Sequence, residues 1–133
     1  MAKEKQDPAL NDVECQSQLG AIGDALYAIG GKWKLRIFVA LMHGKGRFNE
    51  LQRTIDGISS KVLSAELKEL ELNGFVKRRV FTGKPIVIEY ELTDYALTVR
   101  PILDALAEWG GMHRRKIRQS MKQDFEASKI SRQ

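Results

Sequence analysis

Cysteine is almost absent from this chain, with Cys15 the single one in 133 residues. One thiol closes no internal disulfide framework and builds no cysteine-rich zinc site. Histidine is nearly as scarce, at His43 and His113. One lies in a Gly/Lys segment and the other follows Gly110-Gly111. Neither has a cysteine or carboxylate at metal-ligand spacing, so both read as solvated surface groups. No base adjoins Cys15 in sequence. These gaps point away from an enzyme, a metal centre and a bound cofactor. No apolar run reaches the length of a membrane span, and MAKEKQDPAL lacks the apolar centre of a signal peptide. A cytoplasmic location without membrane attachment is therefore expected. Internal repeats and low-complexity segments are missing too. The GGK at 30–32 lacks the longer glycine spacing and the Ser/Thr of a phosphate loop.

What is present is ordinary for a globular protein: 43% hydrophobic and 29% charged residues. The length suits one domain with one core and helical extensions. The net charge of +5 and pI near 9.4 suit a polyanionic partner.

The most informative stretch runs from Phe48 to Glu71. It reads as two short helices joined by a tight turn. Asn49 is a candidate cap for the first helix, with Gln52 at the capping-box position. Asp56-Gly57 supplies the turn, and Ser59 is a good N-cap for the second helix. In that helix Leu63, Leu67 and Leu70 form one apolar stripe, at i, i+4 and i+7. Lys61, Ser64, Ala65 and Lys68 repeat the spacing on the opposite side. That side is small, polar and basic. The arrangement is a helix-turn-helix whose second helix fits a major groove. A solvated face on an amphipathic surface helix is the plainer alternative.

The flanking segments complete the pattern. Residues 1–14 read as a mobile N-terminal arm. Leu19, Ile22, Leu26 and Ile29 recur as a helical stripe, ended by Gly30-Gly31. A second helix opens at Lys32-Trp33-Lys34, with Trp33, Ile37, Phe38, Leu41 and Met42 as its apolar side and Lys32, Lys34 and Arg36 on the other. Arg47-Phe48 suits a brief strand. Beyond Asn73-Gly74, FVKRRVF and IVIEYEL read as a β-hairpin broken at Thr82-Gly83-Lys84-Pro85. Two registers remain open. One sets Arg78 opposite Glu89; the other sets Arg79 opposite Glu89 and Lys77 opposite Glu91. Lys84 at the tip has no obvious acidic partner. Thr93 is a candidate cap for the last helical segment, which Pro101 should kink or divide. Its apolar stripe through Ile102, Leu106 and Trp109 is longer than the small core needs, so pairing with a second subunit is expected. HRRKIRQSMK is strongly basic, and the tail after about Lys122 should fray.

This order resembles the HxlR-type bacterial transcriptional regulators. IGGKWKLRIFVALMHGKGRFNELQR, GISSKVLSAELKELELNGFVKR, EYELTDYA and PILDALAEWG occur together and in sequence. The resemblance spans about Cys15 to His113. It implies a mainly α fold with a small β-hairpin wing, a winged helix-turn-helix with terminal dimerisation helices. The division expected is the arm at 1–14, the DNA-binding domain at 15–113, and a basic helix end and tail at 114–133. The resemblance makes the helix from Ser59 to about Asn73 the recognition helix and the hairpin the wing. It puts a homodimer interface on the helices at 19–29 and 101–119, here Leu19, Ile22, Leu26, Ile102, Leu106 and Trp109. Some such proteins sense oxidants or electrophiles through a cysteine at the position of Cys15. There the usual pattern is Cys-Pro, whereas Gln16 follows here.

The expected function is a sequence-specific DNA-binding transcriptional regulator, a homodimer on an inverted-repeat operator in double-stranded DNA. Ser59, Ser60, Lys61 and Ser64 would meet base edges and flanking phosphates. Lys68, Arg79 and Lys84 would bind phosphates, joined by Lys34 and Arg36. No arginine lies on the recognition face, so a bidentate guanine contact is not expected from it. No small-molecule effector is read from the residues. A winged-helix module for protein–protein contact, its basic face incidental, is the rival reading. A lone cysteine ahead of an apolar helix is commonly a small buried hydrophobe. Proximity to a helix N-terminus would favour its thiolate, and Glu14 would oppose it.

Overall fold

The computed structural model describes residues 8–131, as two compact units that divide between Thr93 and Asp94. Residues 1–7 of the expected arm lie outside the described residues.

The first unit opens on helix α1, Pro8–Ile29. The helix begins eleven residues before the apolar stripe, so residues 8–14 are its first turns and not an arm. Pro8 is suited to a helix start, where its missing N–H costs nothing, and no breaker separates it from Leu19. Helix α1 ends where Gly30 N–H bonds Leu26 O at 2.8 Å and Gly31 takes a φ of 98°.

Helices α2 (Lys34–Met42), α3 (Phe48–Thr54) and α4 (Ser60–Leu72) follow. Ile37 and Phe38 of α2, Leu51 of α3 and Leu63, Leu67 and Leu70 of α4 are its most completely buried large side chains. Phe38 meets Phe75 edge-on, with ring centroids 5.5 Å apart. The capping box expected at Asn49 and Gln52 does not form. The N-cap of α3 is Arg47, with no side-chain bond, because the helix already starts at Phe48.

Strands β1 (Val76–Phe81) and β2 (Val87–Leu92) make the antiparallel hairpin. Arg79 pairs with Glu89 and Lys77 with Glu91, which selects the second of the two open registers. Arg47 bridges to Glu89 as a minimal third strand, where the brief strand was expected. Gly46 permits this approach: a Cβ there would lie 2.9 Å from Tyr90 O. Thr93 closes the hairpin base, its N–H bonding Phe75 O at 3.0 Å and its hydroxyl Gly74 O at 2.6 Å. The next helical turn takes Asp94, not Thr93, as its cap.

The second unit holds a 3₁₀ turn, Tyr95–Val99, and helix α5, Arg100–Ser131. Pro101 neither kinks nor divides α5, because it falls in the first turn, where its ring is tolerated. The helix runs unbroken through Gly110-Gly111 and past Lys122, where fraying was expected. Trp109 stacks on His113 one turn on, with centroids 4.9 Å apart. Together the elements are a winged helix-turn-helix with long terminal helices. No described helix is long and apolar enough to cross a membrane.

Candidate nucleic-acid interface

Helix α4 is presented by local chemistry that its sequence announces. Gly57 takes a φ of 82°, so the chain turns sharply after α3. Ser59 then sits in extended backbone, and its Oγ accepts the Val62 N–H at 3.1 Å. This bond satisfies one of the orphan donors of the first turn and marks the helix start. The leucine stripe is sealed into the core, so the opposite face must look outward. Ser60, Lys61, Ser64, Ala65 and Lys68 are all exposed there. Ser59 is exposed as well, but its hydroxyl oxygen already accepts the cap bond. What it retains for a ligand is its O–H donor.

The hairpin divides its cations into two kinds. Arg79 Nε lies 2.7 Å from Glu91 Oε1, and Arg47 Nε lies 3.5 Å from Glu89 Oε1. Both charges are partly answered within the sheet. Lys84 is exposed in the loop at 82–86, and Arg78 is exposed opposite Tyr90. Neither belongs to an ion pair among the described residues. Arg78 was missed by sequence reasoning because one open register assigned it to Glu89. The register itself was the signal.

Beside the turn, the ring of Trp33 carries two cations. Lys32 Nζ stands 4.7 Å and Arg36 Cζ 5.8 Å from its centroid. A Cβ on Gly57 would come within 4.0 Å of Trp33 Cη2, so this cluster borders the helix-turn-helix. Arg36 is exposed and keeps guanidinium donors for a phosphate. Lys32, absent from the expected set, shares its position.

Lys34 departs from expectation. It is buried, with Nζ 2.9 Å from Glu66 Oε2 and 3.3 Å from Glu69 Oε2 of α4. Burial alone would lower its pKa. The hydrogen bonds and charges of Glu66, then Glu69, outweigh that, and the pKa is raised above 10.5. A lysine so enclosed has no charge to offer a phosphate. It is an interior counter-ion and leaves the set of phosphate contacts.

Cys15 differs in two ways from its expected setting. It is exposed, not packed as a small hydrophobe. It also lies about two turns inside α1, so the helix start is too remote to act on it. No cation occurs on α1 from Pro8 to Ile29. Leu19, Ile22 and Leu26 of α1 are exposed, and so are Ile102, Leu106 and Trp109 of α5.

Comparison with known proteins places this geometry. The HxlR-like helix-turn-helix family model matches residues 28–118. The HTH-type transcriptional regulator YtcD of Bacillus subtilis is 44% identical over 88 residues, 66% of this chain and 70% of that protein. A structure of the redox regulator HypR in its reduced form is 37% identical, covers 74% of this chain and 98% of that one, and superimposes with a TM-score of 0.69. The diamide-treated structure of YodB from B. subtilis is 33% identical, covers 68% of this chain and 89% of that one, with a TM-score of 0.59.

Proposed function

Because the chain belongs to the HxlR-like helix-turn-helix family and is a transcriptional regulator of that type, we propose that it works as a cytoplasmic homodimer on an inverted-repeat operator. One observation carries the reading. The outer face of α4 is capped by Ser59 and exposes Ser60, Lys61, Ser64, Ala65 and Lys68, with Glu71 at its C-terminal end, while Leu63, Leu67 and Leu70 are fully enclosed. Lys61, Ser64 and the O–H groups of Ser59 and Ser60 would reach base edges and adjacent phosphates in the major groove. Lys68, Lys84, Arg78 and Arg36 would hold phosphates, with Arg79 adding a partly compensated charge. The exposed apolar residues Leu19, Ile22 and Leu26 on α1, and Ile102, Leu106 and Trp109 on α5, support pairing with a second copy.

Selection of bound fragments from random DNA tests this directly. The expected product is a two-fold repeat whose half-sites lie whole helical turns apart. A protein-docking module would instead show no steep salt dependence toward mixed DNA.

A redox response is a second reading, favoured by the exposure of Cys15. The redox regulator HypR and the diamide-treated YodB lend it support by likeness. With one cysteine in the chain, oxidation would end as a sulfenic acid, a mixed disulfide with a small thiol, or a disulfide between subunits. Binding by the parent and by Cys15→Ser, before and after diamide, distinguishes a switch from a bystander. A parent that keeps its affinity and a titratable thiol after treatment would end the redox reading.

A further inference from the structure

The recognition helix is not a basic helix. Between Ser60 and Leu72 it holds two lysines and three glutamates. Helical spacing puts Lys61, Ser64, Ala65 and Lys68 around the outward face and Leu63, Leu67 and Leu70 around the buried one. Glu66 and Glu69 fall on the border between these faces, both on the same side. Glu69 adjoins Lys68 and stands one turn from Ala65. Its side chain remains half exposed, whereas that of Glu66 is largely enclosed. A helix laid along a phosphate strand with two bare carboxylates on its flank would be repelled.

Lys34 prevents this. It enters from α2, buried, and meets both carboxylates at 2.9 and 3.3 Å. One cation bridges two acids of another helix, so it also ties α4 to α2 at a defined rotation about the leucine stripe. We propose that Lys34 acts in DNA binding through Glu66 and Glu69: it neutralises these two acids on the flank of the DNA-reading helix and so keeps them from repelling the phosphates. This rests on the DNA-binding reading above. It gives Lys34 a part in binding without a phosphate contact.

The two roles separate by experiment. Three variants are compared with the parent on the selected operator and on random DNA, across a salt series, with melting curves to establish folding. Lys34→Met leaves the two acids bare. It should weaken both kinds of DNA binding by roughly three- to tenfold at low salt, and the loss should shrink as salt screens the repulsion. Glu66→Gln with Glu69→Gln strands a buried cation and should lower the melting temperature, because a buried ion without its partner is strongly destabilising. The triple change, Lys34→Met with both glutamine substitutions, bares neither Glu66 nor Glu69 and strands no cation. It should fold and bind like the parent, even if Lys34→Met alone does not fold. A folded triple variant that loses affinity, with a salt slope lower by about one, would make Lys34 a phosphate contact and overturn the proposal. A folded Lys34→Met that binds like the parent would overturn it as well. If the parent showed no salt-dependent DNA binding, the DNA reading itself would fall, an outcome distinct from both.

Discussion

Lys61 and Leu67 lie on one helix yet carry opposite duties, and single substitutions should separate them. Leu67 is enclosed at 1% exposure. Leu67→Ala should destabilise the fold by about 2–5 kcal/mol, read as a lower midpoint in denaturant, because the site empties while its neighbours are held by their own packing. Lys61→Ala and Ser64→Ala remove exposed atoms and should leave that midpoint in place. Their expected effect is on operator affinity, about 1–3 kcal/mol for a lost base-edge contact. Unchanged affinity in both would mean that another face reads the DNA. Lys34 makes a third kind of prediction, in pH. Its pKa is raised in the folded state, so the protonated form is favoured by folding. Such a group contributes its full stability below the unfolded pKa and loses it as pH rises through the folded one. The parent should therefore lose its stability advantage over Lys34→Met as pH climbs past 10.5. Denaturant midpoints at pH 8 and above pH 11 measure the difference.

At the scale of elements, the hairpin is the informative one. Alternation in IVIEYEL was enough to place a strand, and the Gly-Lys-Pro break was enough to place a turn. Register was not legible, because a shift of one residue exchanges which base meets which acid. In the observed register Arg79 stands opposite Glu89 and reaches diagonally to an ion pair with Glu91, while Arg78 and Lys84 have no ion pairs among the described residues. Lys84→Ala should lower affinity for operator and random DNA alike and reduce the salt slope by about one, as expected for a lost phosphate contact. Arg78→Ala is expected to behave the same way. Arg79→Ala should do less, since part of its charge is already met by Glu91. Fluorescence anisotropy across a salt titration reads all three, and an unchanged slope for Lys84→Ala would take the wing tip off the DNA.

For the whole molecule, the terminal helices leave large apolar side chains exposed. Trp109 is 58% exposed, Leu106 48% and Leu26 63%. Aromatic and branched side chains so open in a row on a helix form the kind of surface a partner protein would cover. If that protein is a second copy, Leu106→Asp should shift the chain toward monomer in sedimentation equilibrium. Operator affinity should fall with it, because one subunit holds one half-site. An intact dimer in this variant would move the interface elsewhere.

From its residues alone the chain specified the two-faced helix α4, the Ser59 cap, the Gly57 turn and the two strands. All are short-range: a stripe, a cap or a turn is settled by residues within a turn or two of one another, and burial of the leucines follows from their period. Tertiary structure decided the rest. Lys34 and Glu66 are distant in sequence, and nothing near Lys34 distinguishes it from Lys32 or Arg36, yet packing of α2 on α4 buries one and leaves the other two on Trp33. Cys15 likewise owes its setting to a helix that begins at Pro8 rather than beside it. Whether a cation is spent inside the protein or left for a ligand depends on which helix lies across from it, and that is settled only when the helices pack.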